Sequence, residues 1–303
     1  MRLLYKSRSK PSELIILEAL QHRMQLSKAD QQNLYNLTKG YEGELLFDSL
    51  LEKLECDNFL LNDLLLKTNN QTFQIDSLLI TRDLIYVFEI KNFAGDFHYI
   101  SDQILKKDNS EITNPLFQLF RTEALLRQLL QKLNFSTPIL SSVVFVNPEF
   151  VLYQAPSDKP FIFPNQLNRF IQKLNTNRAE LLALHKRLAE NFMSLHISEN
   201  PYRHLPSYNY QQLRKGILCT ACHSFSIEVN GRRCICTLCG NVEHIDSAIM
   251  RTINEYKLLF PNERITTNKI FDWCKIITSK KRIQRILKNN FKLVDVHRWV
   301  YYE

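Results

Sequence analysis

The sequence predicts a mixed α/β chain: a helix, three strands, a helix and a strand forming a sheet with helices packed on it, then a helical segment, a cysteine-rich hairpin and a small helical end. Three observations predict this. Apolar residues follow helical spacing at Leu45, Leu46, Leu50, Leu51 and Leu54, change to strand-length runs over 59–66, 73–80 and 84–90, and return to helical spacing after Pro115. Two Cys-x2-Cys pairs bracket an Asn-Gly dipeptide. From 275 to 292 there are seven lysines and arginines and no acid.

The totals bound the reading. A chain of 303 residues suits two or three domains, and 45% apolar with 23% charged residues describes a globular protein. Only 6 Gly and 10 Pro argue against long flexible linkers. The formal charge of +8 points to a polyanionic partner, with nucleic acid first. Met1 to Lys10 is basic but lacks a following apolar core of secretory length, and no stretch approaches the roughly 20 apolar residues that span a bilayer. Five of the seven cysteines crowd between Cys219 and Cys239, which suits metal ligation in a reducing cytoplasm better than a disulfide framework.

In order, residues 1–34 read as a helical lead-in that starts at Pro11, carries Leu14, Leu17 and Leu20, and packs onto the first domain. Residues 35–150 form that domain. A helix opens at Gly40-Tyr41-Glu42-Gly43-Glu44, and two strands meet at a short turn, Thr81-Arg82-Asp83. The helix from Pro115 runs to Leu133, and Val143-Val144-Phe145-Val146 is a buried strand. Residues 151–210 are loop and helical connector: four prolines between 147 and 165 mark an extended loop, and 166–196 looks helical. Pro201-Tyr202-Arg203-His204-Leu205-Pro206 breaks the chain before the cysteine module at 211–245 and a basic helical domain at 246–303.

Charges inside the apolar runs need a reason, because an unpaired buried charge costs several kcal/mol or shifts its pKa. Glu89 and Lys91, two apart on a strand, share a face, and Asp76 on the preceding strand can lie opposite or diagonal to Glu89. Glu44 belongs to a covering helix, with Phe47, Asp48 and Leu51 on its face. Two strand carboxylates and one helix carboxylate then converge as hard oxygen ligands for Mg2+ or a similar ion. Such a site suits phosphodiester hydrolysis, with Lys91 holding the attacking water or neutralising the phosphate. Taken singly, each residue has a plain structural role: Asp76 a strand-end turn residue, Glu89 and Lys91 a cross-strand ion pair, Glu44 an acid at a helix start. Together they fall on the right elements in the right order.

Asp76, twelve intervening residues and Glu89-Ile90-Lys91 resemble the PD-(D/E)xK signature of restriction-endonuclease-like nucleases. More narrowly, Gly40-Tyr41-Glu42-Gly43-Glu44, Ile75-Asp76, Phe88-Glu89-Ile90-Lys91-Asn92, Asn114-Pro115 and Gln118 resemble the NERD (nuclease-related) domain over about 40–150. The resemblance implies a restriction-endonuclease-like αβββαβ core. It implies that Glu44, Asp76 and Glu89 bind Mg2+ or Mn2+, that Lys91 is the catalytic lysine, and that Gln118 is a helical partner of the site.

Cys219-Thr220-Ala221-Cys222 and Cys236-Thr237-Leu238-Cys239 are two knuckles with thirteen residues between them, joined by strands around Asn230-Gly231. That pattern predicts a zinc ribbon in which four thiolates close a tetrahedral, structural Zn2+ site. Cys234 is surplus; His223 and His244 are lesser ligand candidates. A redox role fails on the presence of two such pairs without a thioredoxin-like βαβ setting.

At the end, 249–259, 267–274 and 279–288 read as helices and 291–302 as a β-element, the outline of a helix-turn-helix with a small wing. The whole predicts a cytoplasmic, Mg2+-dependent nuclease acting on DNA. The alternative is a non-catalytic nucleic-acid-binding protein that keeps the nuclease fold, and a weaker third reading is a scaffold for another protein.

Overall fold

The change of apolar period is realised, with more strands than the sequence announced. The computed structural model describes residues 2–176, 179–198, 203–296 and 299–303, and the expected break at Pro201 and Tyr202 lies outside these residues. In chain order come β1 (Arg2–Lys6), α1 (Ser12–Arg23), α2 (Lys28–Leu51), β2 (Asn58–Thr68), β3 (Gln71–Ile80) and β4 (Ile85–Lys91). There follow β5 (Gly95–Ile100), β6 (Gln103–Lys106), β7 (Glu111–Ile112), α3 (Pro115–Lys132), β8 (Ile139–Phe145), β9 (Phe150–Tyr153), β10 (Phe161–Ile162), α4 (Leu167–Asn175) and α5 (Ala183–Leu195). The remainder is β11 (Ile227–Asn230), β12 (Arg233–Cys236), β13 (Val242–His244), α6 (Ile245–Leu259), α7 (Thr267–Cys274), α8 (Lys280–Asn290), β14 (Leu293–Val296) and β15 (Trp299–Tyr302). The described chain divides into two units, Met1–Ser12 with Tyr35–Arg203, and Glu13–Leu34 with His204–Glu303, so the division falls within α2.

The first unit is built on a six-stranded sheet in the order β1-β2-β3-β4-β8-β10. Strands β2, β3 and β4 pair antiparallel, while β8 joins β4 in parallel after the crossover through α3. Leu119 and Leu126 of α3 and Leu188 and Phe192 of α5 share a core with Leu61, Leu78, Val87 and Val143. Phe47 and Leu51 of α2 and Leu167 and Ile171 of α4 share another with Leu79, Phe88, Ile90 and Val144. A sheet covered on both faces explains why β2 and β3 read as near-continuous apolar runs instead of alternating. The path α2-β2-β3-β4-α3-β8 is the αβββαβ order of the expectation.

A second sheet, ordered β7-β6-β5-β9, occupies 95–112 and 150–153. Residues 147–165 therefore contain β9 and β10 and are not one extended loop; strands of four and two residues carry too little pattern to stand out among prolines. The N-terminal decapeptide also holds a strand, β1, which runs parallel to β2.

The start of α2 is a correction. The helix begins at Lys28, so Gly40 and Gly43 lie in its interior and Glu44 is four turns along, not in the first turn. Gly43 has a packing reason: a Cβ there would stand 2.5 Å from the Asn92 Cβ and 3.2 Å from Val146. Its bare backbone lets α2 approach the end of β4, where Asn92 donates to the Lys39 carbonyl at 2.8 Å. Gly40 meets nothing within 4 Å.

In the second unit, Ile16 and Leu20 of α1 join Ile249, Ile253 and Tyr256 of α6, Trp273 of α7 and Ile283, Ile286 and Leu287 of α8. The lead-in helix thus contributes to this core, which corrects its expected packing on the first domain. Arg23 of α1 is buried, bonds Glu255 (2.5 and 3.0 Å) and the carbonyls of Arg214 and Gly216, and lies 4.1 Å from the Trp273 ring centre. A buried guanidinium without such partners would be strongly destabilising. Strands β11, β12 and β13 form a small antiparallel sheet, with Gly231 at φ +59 in the turn between the first two. Thr266 and Ser279 cap α7 and α8, β14 and β15 form a hairpin, and Ile265 bridges Tyr302. The order helix, turn, helix, hairpin is the one the sequence outlined for this end.

Two glycines in one helix give opposite expectations. Gly40→Ala should stabilise the protein by up to ~1 kcal/mol through helix propensity. Gly43→Ala should destabilise it by ~1–3 kcal/mol through overpacking against Asn92. Urea denaturation of both variants reads the signs; equal shifts would count against the close approach.

Candidate functional site

The site begins with a fault in the strands. Strands β2 and β3 keep one register from Phe59–Ile80 to Thr68–Gln71, but the ladder skips Asp63, whose φ is 54°. Leu61 and Leu64 on β2, and Ile75 and Leu78 on β3, then point into the same core, so facing alternation reverses in both strands around Asp63 and Asp76. The β3–β4 ladder also stops at Ser77–Phe88, one step before Asp76 would oppose Glu89. Instead, Asp76 Oδ2 accepts the Ile90 N–H at 2.8 Å. The carboxylate thus takes the place of a ladder partner.

Glu89 and Lys91 alternate with Phe88 and Ile90, which belong to the α2–α4 side core. Lys91 Nζ is 2.7 Å from Glu89 Oε1 and donates to Gln118 Oε1 on α3 at 3.4 Å. The ammonium faces Glu89 Oε1 off the hydrogen-bonding direction, leaving this buried oxygen without an aligned donor. Asp76 is 8% and Glu89 3% exposed.

Glu44 comes from α2, and its partner is a residue the sequence reading missed. Arg8 donates Nη1 to Glu44 Oε2 at 2.7 Å, and Nε and Nη2 to the two Asp48 oxygens at 2.8 and 3.1 Å. Its Nη2 also reaches the Asp76 carbonyl (2.8 Å) and Ser77 Oγ (3.0 Å). The Arg8 side chain is 2% exposed. In the sequence it is one more cation of a basic N-terminus; only the parallel pairing of β1 with β2 carries it to the site. Asp48 stands four residues from Glu44, and that helical spacing is the one local signal for it.

The electrostatics follow from burial. Desolvation first, then the charge of Asp76, pushes Glu44 and Glu89 up to about 8, against the opposing pull of Arg8 and Lys91 respectively. Desolvation likewise raises Asp76, against Lys91 and the Ile90 N–H. Burial would lower Lys91, but Glu89 and Asp76 together leave it above the usual lysine value, so it stays an ammonium. Each of these groups acts on the others, which makes them one electrostatic site.

The donors suit a hard divalent cation: oxygens only, buried at Asp76 and Glu89 and half-buried at Glu44, short of positive charge, with Glu89 Oε1 lacking an aligned partner. Asp76, Glu89 and Glu44 are the residues that could hold it. They do not form a closed cage. Among the described residues, the four cysteines are the only group of three or more Cys, His, Asp or Glu side chains whose ligand atoms all lie within 4.8 Å of one another.

That cysteine cluster lies in the second unit. Cys219 and Cys239 Sγ atoms are 3.6 Å apart, as are those of Cys222 and Cys236, close to the ~3.8 Å edge of a tetrahedron with Zn–S near 2.3 Å. The Ala221 N–H points at Cys219 Sγ at 3.4 Å. The four are positioned for metal binding in the arrangement of a zinc ribbon. Cys234 is outside the cluster, buried among Ile245 and Ile249, where desolvation raises its pKa. The His244 ring accepts from the Asp246 N–H, and His223 stacks on His22 at 4.7 Å, so both histidines are engaged elsewhere.

Residues 39–146 match the family model of the nuclease-related domain, a span that contains Glu44, Asp76, Glu89, Lys91 and Gln118. That span of the chain is thus similar to the nuclease-related domain, and Arg8 and the cysteine cluster lie outside it. No curated protein and no solved structure matches the chain.

The raised carboxyls fix a pH dependence. The folded protein keeps protons on Glu44 and Glu89 up to about 8, while the unfolded chain releases them near ~4.3. The native state therefore binds more protons in between, and stability falls as pH rises through that window. In magnesium-free buffer, unfolding free energy should fall steadily as pH rises between these limits. Glu89→Gln should flatten the drop; identical profiles for both proteins would contradict the assignment.

Proposed function

We propose that the first unit is a metal-dependent nuclease that hydrolyses phosphodiester bonds in DNA, and that the second carries a structural zinc ribbon. The observation that carries the first part is the group of acids acting on one lysine: Lys91 pairs with the buried Glu89 at 2.7 Å and also feels the charges of the buried Asp76 and the half-buried Glu44, more acid than a purely structural ion pair would require. Asp76 and Glu89, with Glu44, would hold Mg2+ or Mn2+. When bound, the ion supplies Lewis-acid stabilisation of phosphate charge and a water made nucleophilic near neutral pH.

The remaining chemistry belongs to the chain. Lys91, fixed between Glu89 and Gln118, presents a positive charge where negative charge develops on the phosphate. Gln118 limits the freedom of that ammonium and is a positioning residue. Arg8 holds Glu44 and Asp48 in place and offsets their charge. None of the seven cysteines is in a disulfide, which fits a reducing cytoplasm.

A non-catalytic nucleic-acid-binding protein is the second reading, and one observation favours it. Glu44 is already engaged by Arg8 and Glu89 by Lys91, so the acids are not drawn into a cage.

Cleavage of a labelled DNA with Mg2+ or Mn2+ separates the readings. The nuclease reading expects metal-dependent cutting that falls at least ~100-fold in Glu89→Ala and Lys91→Ala. Salt-sensitive binding with no cutting under either metal would establish the second reading, and equal cutting by all three proteins would assign the activity elsewhere.

Metal analysis tests the ribbon. One zinc per chain is expected, lost in Cys219→Ser and Cys236→Ser together with the β11–β12 hairpin, while the sheet of the first unit keeps its circular dichroism. A zinc-free, fully folded second unit would remove the ribbon.

A further inference from the structure

The ribbon and the basic helix are joined. Arg282, in the first turn of α8, donates Nη1 to the Gly231 carbonyl at the tip of the β11–β12 hairpin at 3.3 Å. Three residues on, Arg285 pairs at 2.8 Å with Asp246 in the first turn of α6, the helix that follows β13 directly. Two arginines of α8 therefore act as ties to the ribbon and its base.

Other cations of the two elements face solvent. Lys280 and Lys281 are exposed at the start of α8, and Arg232 and Arg233 are exposed beside Gly231. Among the described residues none of these four has a carboxylate within ion-pair distance. Lys280 donates to the neutral Asn268 side chain at 3.0 Å and keeps its charge uncompensated. Ile283, Ile286 and Leu287 turn inward, which leaves Gln284, Lys288 and Asn289 on the outer face with the lysines.

We propose that the ribbon tip and the outer face of α8 form one docking surface for duplex DNA. The helix lies in the major groove, and the ribbon arginines rest on the flanking phosphates. The charge is of the right sign and concentrated, and no acid lies between 275 and 292 to oppose it. A B-form major groove, about 12 Å wide, admits a helix, whereas the deep, narrow groove of A-form RNA does not. Gln284 and Asn289 are side chains able to bond base edges. The bond from Arg282 to Gly231 holds the tip at a fixed place beside the start of the helix, so that both touch one duplex together. The surface lies in the second unit and does not depend on the metal chemistry proposed for the first.

The test uses the full chain with Glu89→Gln, so that bound DNA stays uncut. Fluorescence anisotropy measures its binding to a DNA duplex of about two turns, and to an RNA duplex of the same sequence, across a salt series. Arg232→Ala with Arg233→Ala, and Lys280→Ala with Lys281→Ala, should each weaken DNA binding about tenfold or more and lower the log–log salt slope by about 1–2. All four changes together should lose both contributions, and zinc content should be unchanged throughout. Wild-type affinity and slope in the ribbon pair would overturn the joint surface. RNA bound as tightly as DNA, with the same losses, would overturn the choice of DNA. Cleavage by the wild-type chain is a separate measurement, and its absence would leave this result standing.

Discussion

The Asp76 carboxylate bonded to the Ile90 N–H is the interaction on which the candidate site depends. A regular antiparallel ladder would satisfy that N–H with a backbone carbonyl and would send Asp76 out of the sheet plane. Here the ladder ends at Ser77–Phe88, and the side chain folds back to serve the neighbouring strand. Opposite it, Asp63 adopts φ 54, which an aspartate tolerates better than most residues, and Lys6 binds the carbonyls of Asn62 and Asp63 at 2.9 and 2.8 Å. The fault is therefore satisfied on both sides. It opens the sheet where Glu89 and Lys91 project, and Gly43 lets α2 come near enough for Glu44 to face the same place.

Counting charge explains the rest of the electrostatics. Glu44, Asp48, Asp76 and Glu89 bring four carboxyls, and Arg8 and Lys91 bring two cations, which leaves two negative charges uncompensated if all ionise. Burial makes that excess expensive, and the protein answers by holding Glu44 and Glu89 up to about 8. A divalent ion would cancel the same two charges without using protons. That equality supports the metal reading more directly than any distance between the acids, because it concerns the whole site and not one ligand pair. Arg8 has a double effect in this account: it stabilises Glu44 as an anion, and it engages an oxygen that a metal would also want.

Much of this was legible in the sequence, for local reasons. Charges at Asp76, Glu89 and Lys91 interrupt strong apolar runs, and two Cys-x2-Cys pairs around Asn-Gly need only neighbouring residues to be understood. What escaped was non-local or weakly patterned. Arg8 is separated from Asp76 by 68 residues, and only pairing between distant strands brings them together. The reversal of facing at Asp63 leaves no mark, since apolar residues occupy both parities of β2. The first three turns of α2, from Lys28, are mostly polar and have no fully buried residue, so apolar spacing is dense only from Leu45 and the sequence leaves the helix start unmarked. Strands of two to four residues in the second sheet lie below the length at which alternation can be recognised. Lead-in helix α1 showed its apolar face but not its partner, which is fixed by tertiary packing alone.

The two kinds of charge in the chain are held in opposite ways, and that difference bears on function. The site acids of the first unit are buried or half-buried and mutually repelling, whereas the cations of α8 and the ribbon tip that face solvent are exposed. A polyanion is attracted by the second arrangement and opposed by the first. A phosphodiester can therefore rest at the acids only after their charge is offset, by protons, by Arg8 and Lys91, or by a bound cation. Protons offset it up to about pH 8 in the metal-free protein, but they also remove the ligands. Arg8 faces inward to Asp48 and the Asp76 carbonyl, whereas Lys91 pairs with Glu89 and reaches Gln118. Only a cation that binds the acids while keeping vacant coordination for oxygen meets both demands at neutral pH. On these grounds the buried excess of negative charge is an argument for metal-dependent chemistry on a polyanionic substrate, and not an obstacle to it.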